Sequence, residues 1–153
     1  MTQLELKIPP LALLLLFGLA MWALSALFPT LPVTEPMRLS ALVIAGLLGP
    51  AIAISGAVAF RRAQTTLNPI TPDASSQLVV RGIYRHSRNP MYLGMLVLLF
   101  GWGVYLASPI ALALLPLFMI YLTRFQIVPE ERALLARFGH DFERYCQRVR
   151  RWI

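Results

Sequence analysis

The densest set of reactive side chains in this 153-residue chain is Arg81-Gly82-Ile83-Tyr84-Arg85-His86-Ser87-Arg88-Asn89-Pro90-Met91-Tyr92-Leu93-Gly94. Three arginines, two tyrosines and an Asn-Pro turn signal stand together at the mouth of a long apolar run. A guanidinium pairs with a carboxylate or phosphate through two parallel N–H donors. A tyrosine face attracts cations. The same residues would also make an Arg-rich cytoplasmic anchor with interfacial aromatics. A second set is Arg124, Gln126 and the adjacent acids Glu130 and Glu131, directly after an apolar segment. The two acids are either helix-start carboxylates or polar partners for the arginines. Cys146 is the single cysteine and reads as a packed thiol. His86 and His140 lack partners at metal-ligand spacing, so no metal site is expected. Gly101-Trp102-Gly103 lies inside an apolar run with no strand before it, which excludes a dinucleotide fingerprint.

The elements that must hold these residues are apolar. Hydrophobic residues make up 58% of the chain and charged residues 14%, with a mean hydropathy of +0.65. Soluble domains carry about 25% charged residues. The composition excludes a disordered chain, a coiled coil and an ordinary soluble enzyme, and predicts an all-α polytopic membrane protein with one domain over 1–153. A spanning helix needs about 20 apolar residues. Residues 8–28 and 39–60 are uncharged and form the first two expected spans. Ala41, Ala45, Gly49, Ala53 and Ala57 place small side chains along one stripe of the second, where another helix can approach closely. A kink is expected at Pro50.

The 33 residues 91–123 carry no charge. One straight helix of that length would reach about 50 Å. Ser108-Pro109 divides it, because the residue before proline is pushed out of helical geometry. The expectation is a hairpin of 91–107 and 109–123, giving about four spans.

The net charge is +7. With four spans, 13 of the 14 basic residues fall on one side, Arg38 being the exception. That asymmetry places both termini in the cytoplasm, with a bacterial inner membrane the first expectation and an organelle membrane the second. Anionic lipid is a secondary partner, and nucleic acid is not expected. The polar parts are a cytoplasmic connection, 61–90, and a tail, 124–153. In the tail, Pro129 is expected to open a helix, Gly139 to break it and Asp141 to restart it. Leu134, Leu135, Phe138, Phe142 and Tyr145 form an apolar stripe at helical spacing. This C-terminal amphipathic helix either lies on the membrane surface or folds back and closes a site. No span contains an ionisable residue, which weakens a small multidrug-type transporter. A non-catalytic adaptor with an Arg-rich face is the other alternative.

Several motifs, taken in order, resemble the isoprenylcysteine carboxyl methyltransferase family, integral membrane enzymes related to phospholipid N-methyltransferases. They are Gln64-Thr65-Thr66-Leu67-Asn68-Pro69, Gln77-Leu78-Val79-Val80, Gly82-Ile83-Tyr84, Arg88-Asn89-Pro90-Met91-Tyr92-Leu93-Gly94, Glu130-Glu131 and Phe138-Gly139-His140-Asp141-Phe142-Glu143-Arg144-Tyr145. The resemblance covers roughly residues 60–152. It implies S-adenosylmethionine as cofactor, touching Gln77, Leu78, Val79, Val80, Tyr84, Asn89, Pro90, Met91, Tyr92 and Glu130. It also implies transfer of a methyl group to an amphiphilic, lipid-like acceptor with a carboxylate, amine or thiol. The chain departs from the family at two positions. Asn89 stands where histidine is frequent and cannot carry a proton charge. Gln126 stands where the eukaryotic carboxyl methyltransferases have arginine near the acceptor, with Arg124 close by. Arg124, Gln126 and Glu130 are the resulting catalytic candidates, and Arg85, Arg88 and Arg124 are candidates for holding an anionic group.

Overall fold

The computed structural model describes residues 5–28, 30–63 and 78–153. Gln77 and the 64–69 motif lie outside the described residues. Among those described, all regular structure is helical: α1 (Pro10–Ser25), α2 (Glu35–Arg62), a 3₁₀ turn (Gly82–Arg85), α3 (Pro90–Tyr105), α4 (Pro109–Leu122), a π-helical turn (Thr123–Ile127), α5 (Val128–Phe138) and α6 (His140–Arg148). Proline opens the first turn of α1, α2, α3 and α4. Its fixed φ and missing N–H suit that position.

Two helical stretches are long and apolar enough to cross a membrane, Glu35–Arg62 and Pro109–Phe138. The other two apolar helices, α1 and α3, have 16 residues each. α2 exceeds the expected 39–60 at both ends, since Glu35, Arg38, Arg61 and Arg62 continue the helix beyond its apolar part. Pro50 lies within this helix, which runs through it.

α2 and α3 make the largest helix pair, and the small-residue stripe explains it. A Cβ on Gly94 would collide with the Gly49 carbonyl oxygen and with Ala53, and one on Gly101 with Ala45 and the Ala41 carbonyl oxygen. A Cβ on Gly49 would lie 2.6 Å from Leu98 Cγ and 2.7 Å from the Gly94 carbonyl oxygen. The stripe is thus filled by α3 of the same chain. At the far end of this pair, Arg38 Nε donates to the Tyr105 carbonyl at 2.5 Å and its guanidinium stands over the Tyr105 ring.

α3 and α4 are joined by Leu106–Ser108 in place of one long helix. Ala107 has a φ of +49°, and the Ser108 hydroxyl accepts from the Ala111 N–H, capping α4. α1 packs on both helices, with Trp102 Nε1 donating to the Gly18 carbonyl at 3.0 Å. Leu13, Met21, Met95, Leu99, Phe118, Leu122 and Ile127 form the core between them.

The expected separation of α4 from the tail is corrected. α4 does not end at a new proline-initiated helix. It passes through the π-helical turn directly into α5, a helical run of 30 residues. Pro129 therefore lies within a helix, and Glu130 and Glu131 are not at the exposed positive end of a dipole. Gly139, at φ +48° and ψ −123°, turns the chain sharply into α6; only glycine takes that conformation without strain.

α6 folds back onto the 78–85 segment. Phe142, Tyr145 and Val149 are buried with Tyr84, against Phe60, Leu78 and Val79. The Phe60 and Tyr84 rings meet edge to face at 5.3 Å. Tyr145 Oη donates to the Tyr84 carbonyl at 2.7 Å. Tyr145→Phe would leave that buried carbonyl unpaired, so a loss of about 1–3 kcal/mol is expected, read as a lower thermal midpoint in detergent.

Candidate functional site

The 78–94 segment and the end of the chain meet at one end of the bundle. Tyr92 is in the first turn of α3 and Glu130 in the first turn of α5. Tyr92 Oη donates to Glu130 Oε1 at 2.5 Å. Glu130 Oε2 has no hydrogen-bond partner among the described residues. Tyr84 is buried beside this pair. Burial, with Tyr145 and Glu130 adding to it, pushes the Tyr84 phenol above its ordinary range, so it stays neutral.

Glu131 points the other way. It takes Arg88 Nη2 at 2.8 Å and both Nε and Nη2 of Arg151, at 2.7–3.1 Å. The end of the chain is tied down beside it. The Arg88 N–H donates to the Arg150 carbonyl, while Ser87 Oγ and Asn89 Nδ2 donate to the Arg151 carbonyl. Ser87 Oγ also accepts from the Asn89 N–H. Trp152 Nε1 donates to Thr123 Oγ1 at 3.3 Å. Of the two arrangements open to the tail, the structure shows the fold-back.

The expected site residues divide accordingly. Tyr84, Tyr92 and Glu130 come together, with Pro90 and Met91 against Gly56 on α2. Leu78 and Val79 pack under α6, and Val80 is exposed. Asn89 Nδ2 donates to the Arg151 carbonyl at 3.0 Å. Arg88 serves Glu131, and Arg85 is exposed. Gln126 is buried and its Nε2 donates to the Ile8 carbonyl at 2.7 Å. Its side-chain donor is thus used inside the fold. Arg124 is exposed. It lines an open groove of about 410 Å³ with Met119, Ile120, Thr123, Val128 and Trp152. Ser87, Glu131's double pairing and Arg151 were not singled out from sequence. The weak signal for them was the adjacency of Glu131 to Glu130 and the basic chain end, Arg148, Arg150 and Arg151.

Removing the Glu131 carboxylate leaves two guanidiniums without their acceptor. Glu131→Ala is expected to cost about 1.5–3 kcal/mol. Trypsin should then cleave after Arg148 and Arg150 faster than in the parent chain.

An all-helical bundle with buried tyrosines, a carboxylate and an arginine-lined rim at one end defines a class, small helical membrane proteins with a polar site at the end of the bundle. The phospholipid methyltransferase family pattern matches residues 37–141, and the chain belongs to that family. It is also related to the isoprenylcysteine carboxyl methyltransferases. It is 31% identical over 106 residues to a probable protein-S-isoprenylcysteine O-methyltransferase of Oryza sativa subsp. indica, covering 67% of this chain and 54% of the rice protein. With protein-S-isoprenylcysteine O-methyltransferase B of Arabidopsis thaliana the identity is also 31%, over 67% of this chain and 52% of that one. The chain thus spans about half the length of these plant relatives. An uncharacterised Haemophilus influenzae protein is 38% identical over 63 residues, 41% of this chain and all of that one. No solved structure matches the chain significantly.

Proposed function

We propose that the chain is a membrane methyltransferase that uses S-adenosylmethionine and methylates an amphiphilic acceptor. The observation that carries this reading is the Tyr92–Glu130 pair, held beside Tyr84 in a member of a methyltransferase family. The cofactor bears a sulfonium, an ammonium and a carboxylate. The donor set fits it. Glu130 offers a carboxylate with one oxygen already oriented by Tyr92 and the other open to an ammonium or to ribose hydroxyls. Tyr84 and Tyr92 offer ring faces to a cation or an adenine. Gln77, Leu78, Val79, Val80, Asn89, Pro90 and Met91 complete the proposed contacts.

When bound, the cofactor supplies an electrophilic methyl group. The protein's part is alignment, which by itself accelerates a bimolecular transfer greatly. An acceptor carboxylate needs no base, whereas an amine or thiol must shed a proton. The groove beside Arg124 offers an apolar wall and one cation, suited to an acceptor with an apolar chain and an anionic group. In this reading α1, α2, α3 and α4 cross the membrane, with α5, both termini and the site on the cytoplasmic side. The basic clusters at the site end and Arg38 at the opposite end favour that orientation.

Calorimetric titration of the detergent-purified protein with S-adenosylmethionine and S-adenosylhomocysteine tests the proposal. Binding with one-to-one stoichiometry is expected. A folded protein that binds neither would refute it.

A further inference from the structure

Pro129 has no N–H, so the carbonyl of Phe125, four residues earlier, has no α-helical donor. The helix answers by widening. Thr123–Ile127 form a π-helical turn, closed by the Val128 N–H on the Thr123 carbonyl. Such turns are rare and occur frequently at functional sites, and the carbonyl they leave over needs a donor from elsewhere. Here the support comes from residues 5–8, 119 positions away in sequence at the Leu6–Phe125 contact. The Leu6 N–H donates to the orphaned Phe125 carbonyl at 3.0 Å. Gln126 Nε2 donates to the Ile8 carbonyl at 2.7 Å. Glu5 pairs with Arg132 beyond the turn at 2.7 Å. The strap thus grips both sides of the bulge.

The consequence lies between those grips. A π turn holds one more residue than an α turn, so α5 is rotated by about 100° relative to an uninterrupted α-helix. Glu130, three residues after the turn, faces Tyr92 only in the widened register. We infer that Gln126 is a positioning residue. By holding the strap against the π turn, it aims Glu130 at Tyr92 and at the cofactor. This rests on the proposed function only for the identity of the ligand. The buried amide of Gln126 is thereby given a role away from the acceptor.

A double-mutant cycle tests it, with S-adenosylhomocysteine as the probe. Gln126→Leu should weaken its binding about 5- to 20-fold with unchanged stoichiometry, as expected for loss of one or two oriented hydrogen bonds. In a Glu130→Gln background the same change should add less than about twofold, because both act through one carboxylate. Hydrogen exchange in the unliganded variant should speed up across residues 123–130. Leu6→Pro provides a second route. It removes the donor to Phe125 and cannot adopt the φ of +58° at Leu6, yet leaves Gln126 intact.

A folded Gln126→Leu or Leu6→Pro protein with parental affinity would overturn the inference. So would a full-sized effect in the Glu130→Gln background, or a loss of stoichiometry alone, which marks a merely structural role. If the parent chain itself does not bind the probe, the functional proposal falls. The exchange measurement then still decides whether the strap holds the turn: unchanged exchange at 123–130 sinks that too.

Discussion

Glu130→Gln is expected to lower the affinity for S-adenosylmethionine about 10- to 100-fold. The substitution keeps the shape of the side chain and removes its charge. A hydrogen bond to an ionised group is worth about 1.5–3 kcal/mol, and each 1.4 kcal/mol is about tenfold in binding. In the proposed site two contacts would change together: the Tyr92 hydroxyl loses its carboxylate acceptor, and the proposed cofactor's ammonium or ribose would lose its partner. Tyr92→Phe removes only the orienting donor and should cost less, about tenfold or under. The order of the two effects is the informative part. A larger loss in Tyr92→Phe would mean that the tyrosine itself meets the ligand and that Glu130 only supports it. Calorimetry on both variants reads the order directly.

The second large effect concerns folding. Gly94→Val and Gly101→Val should each abolish the folded protein or destabilise it by about 3 kcal/mol or more, the upper range for overpacking. The obstacle at Gly94 is the Gly49 carbonyl and Ala53, and at Gly101 it is Ala45 and the Ala41 carbonyl. Backbone atoms of a packed helix cannot step aside as a flexible side chain does. Moving α2 away would open the seam along Ala45, Gly49 and Ala53, where close approach supplies the packing. Gly46 is the control, because a Cβ there meets nothing within 4 Å. Gly46→Ala should leave the pairing intact and stabilise the helix by about 0.5–1 kcal/mol. Monodisperse yield and thermal midpoint in detergent separate the two outcomes.

The parts of the fold that were legible in the sequence are those set by short-range rules. The small residues at every fourth position of α2 announced a close helix partner, and Gly94 and Gly101 supplied it. Ser108-Pro109 announced the break after α3. Gly139 announced the break before α6. Hydropathy located the second apolar helix but not its ends, because the charged residues Glu35, Arg61 and Arg62 extend the helix past its apolar part.

What was not legible depends on distant segments. Pro129 looked like a helix start because that is where isolated prolines are best tolerated. Its burial within a continuous helix requires a donor for the Phe125 carbonyl, and that donor is Leu6. Glu130 and Glu131 are neighbours in sequence, yet one faces Tyr92 and the other faces Arg88 and Arg151. No local pattern distinguishes them. The arginines of the chain end read as a topological signal, and they carry that signal equally well whether free or paired. Only the fold shows that Arg151 closes onto Glu131 and that its carbonyl takes up the Asn89 amide. The Asn89 side chain thereby anchors the tail.

The most direct test of the central claim is transfer of label. The purified protein, reconstituted in liposomes made from a bacterial lipid extract, is incubated with methyl-labelled S-adenosylmethionine, and the organic phase is then analysed. Label in an extractable amphiphile, lost in Glu130→Gln, is the predicted result. No label in any lipid or added isoprenylated thiol, and no cofactor binding by the same folded preparation, would contradict the account.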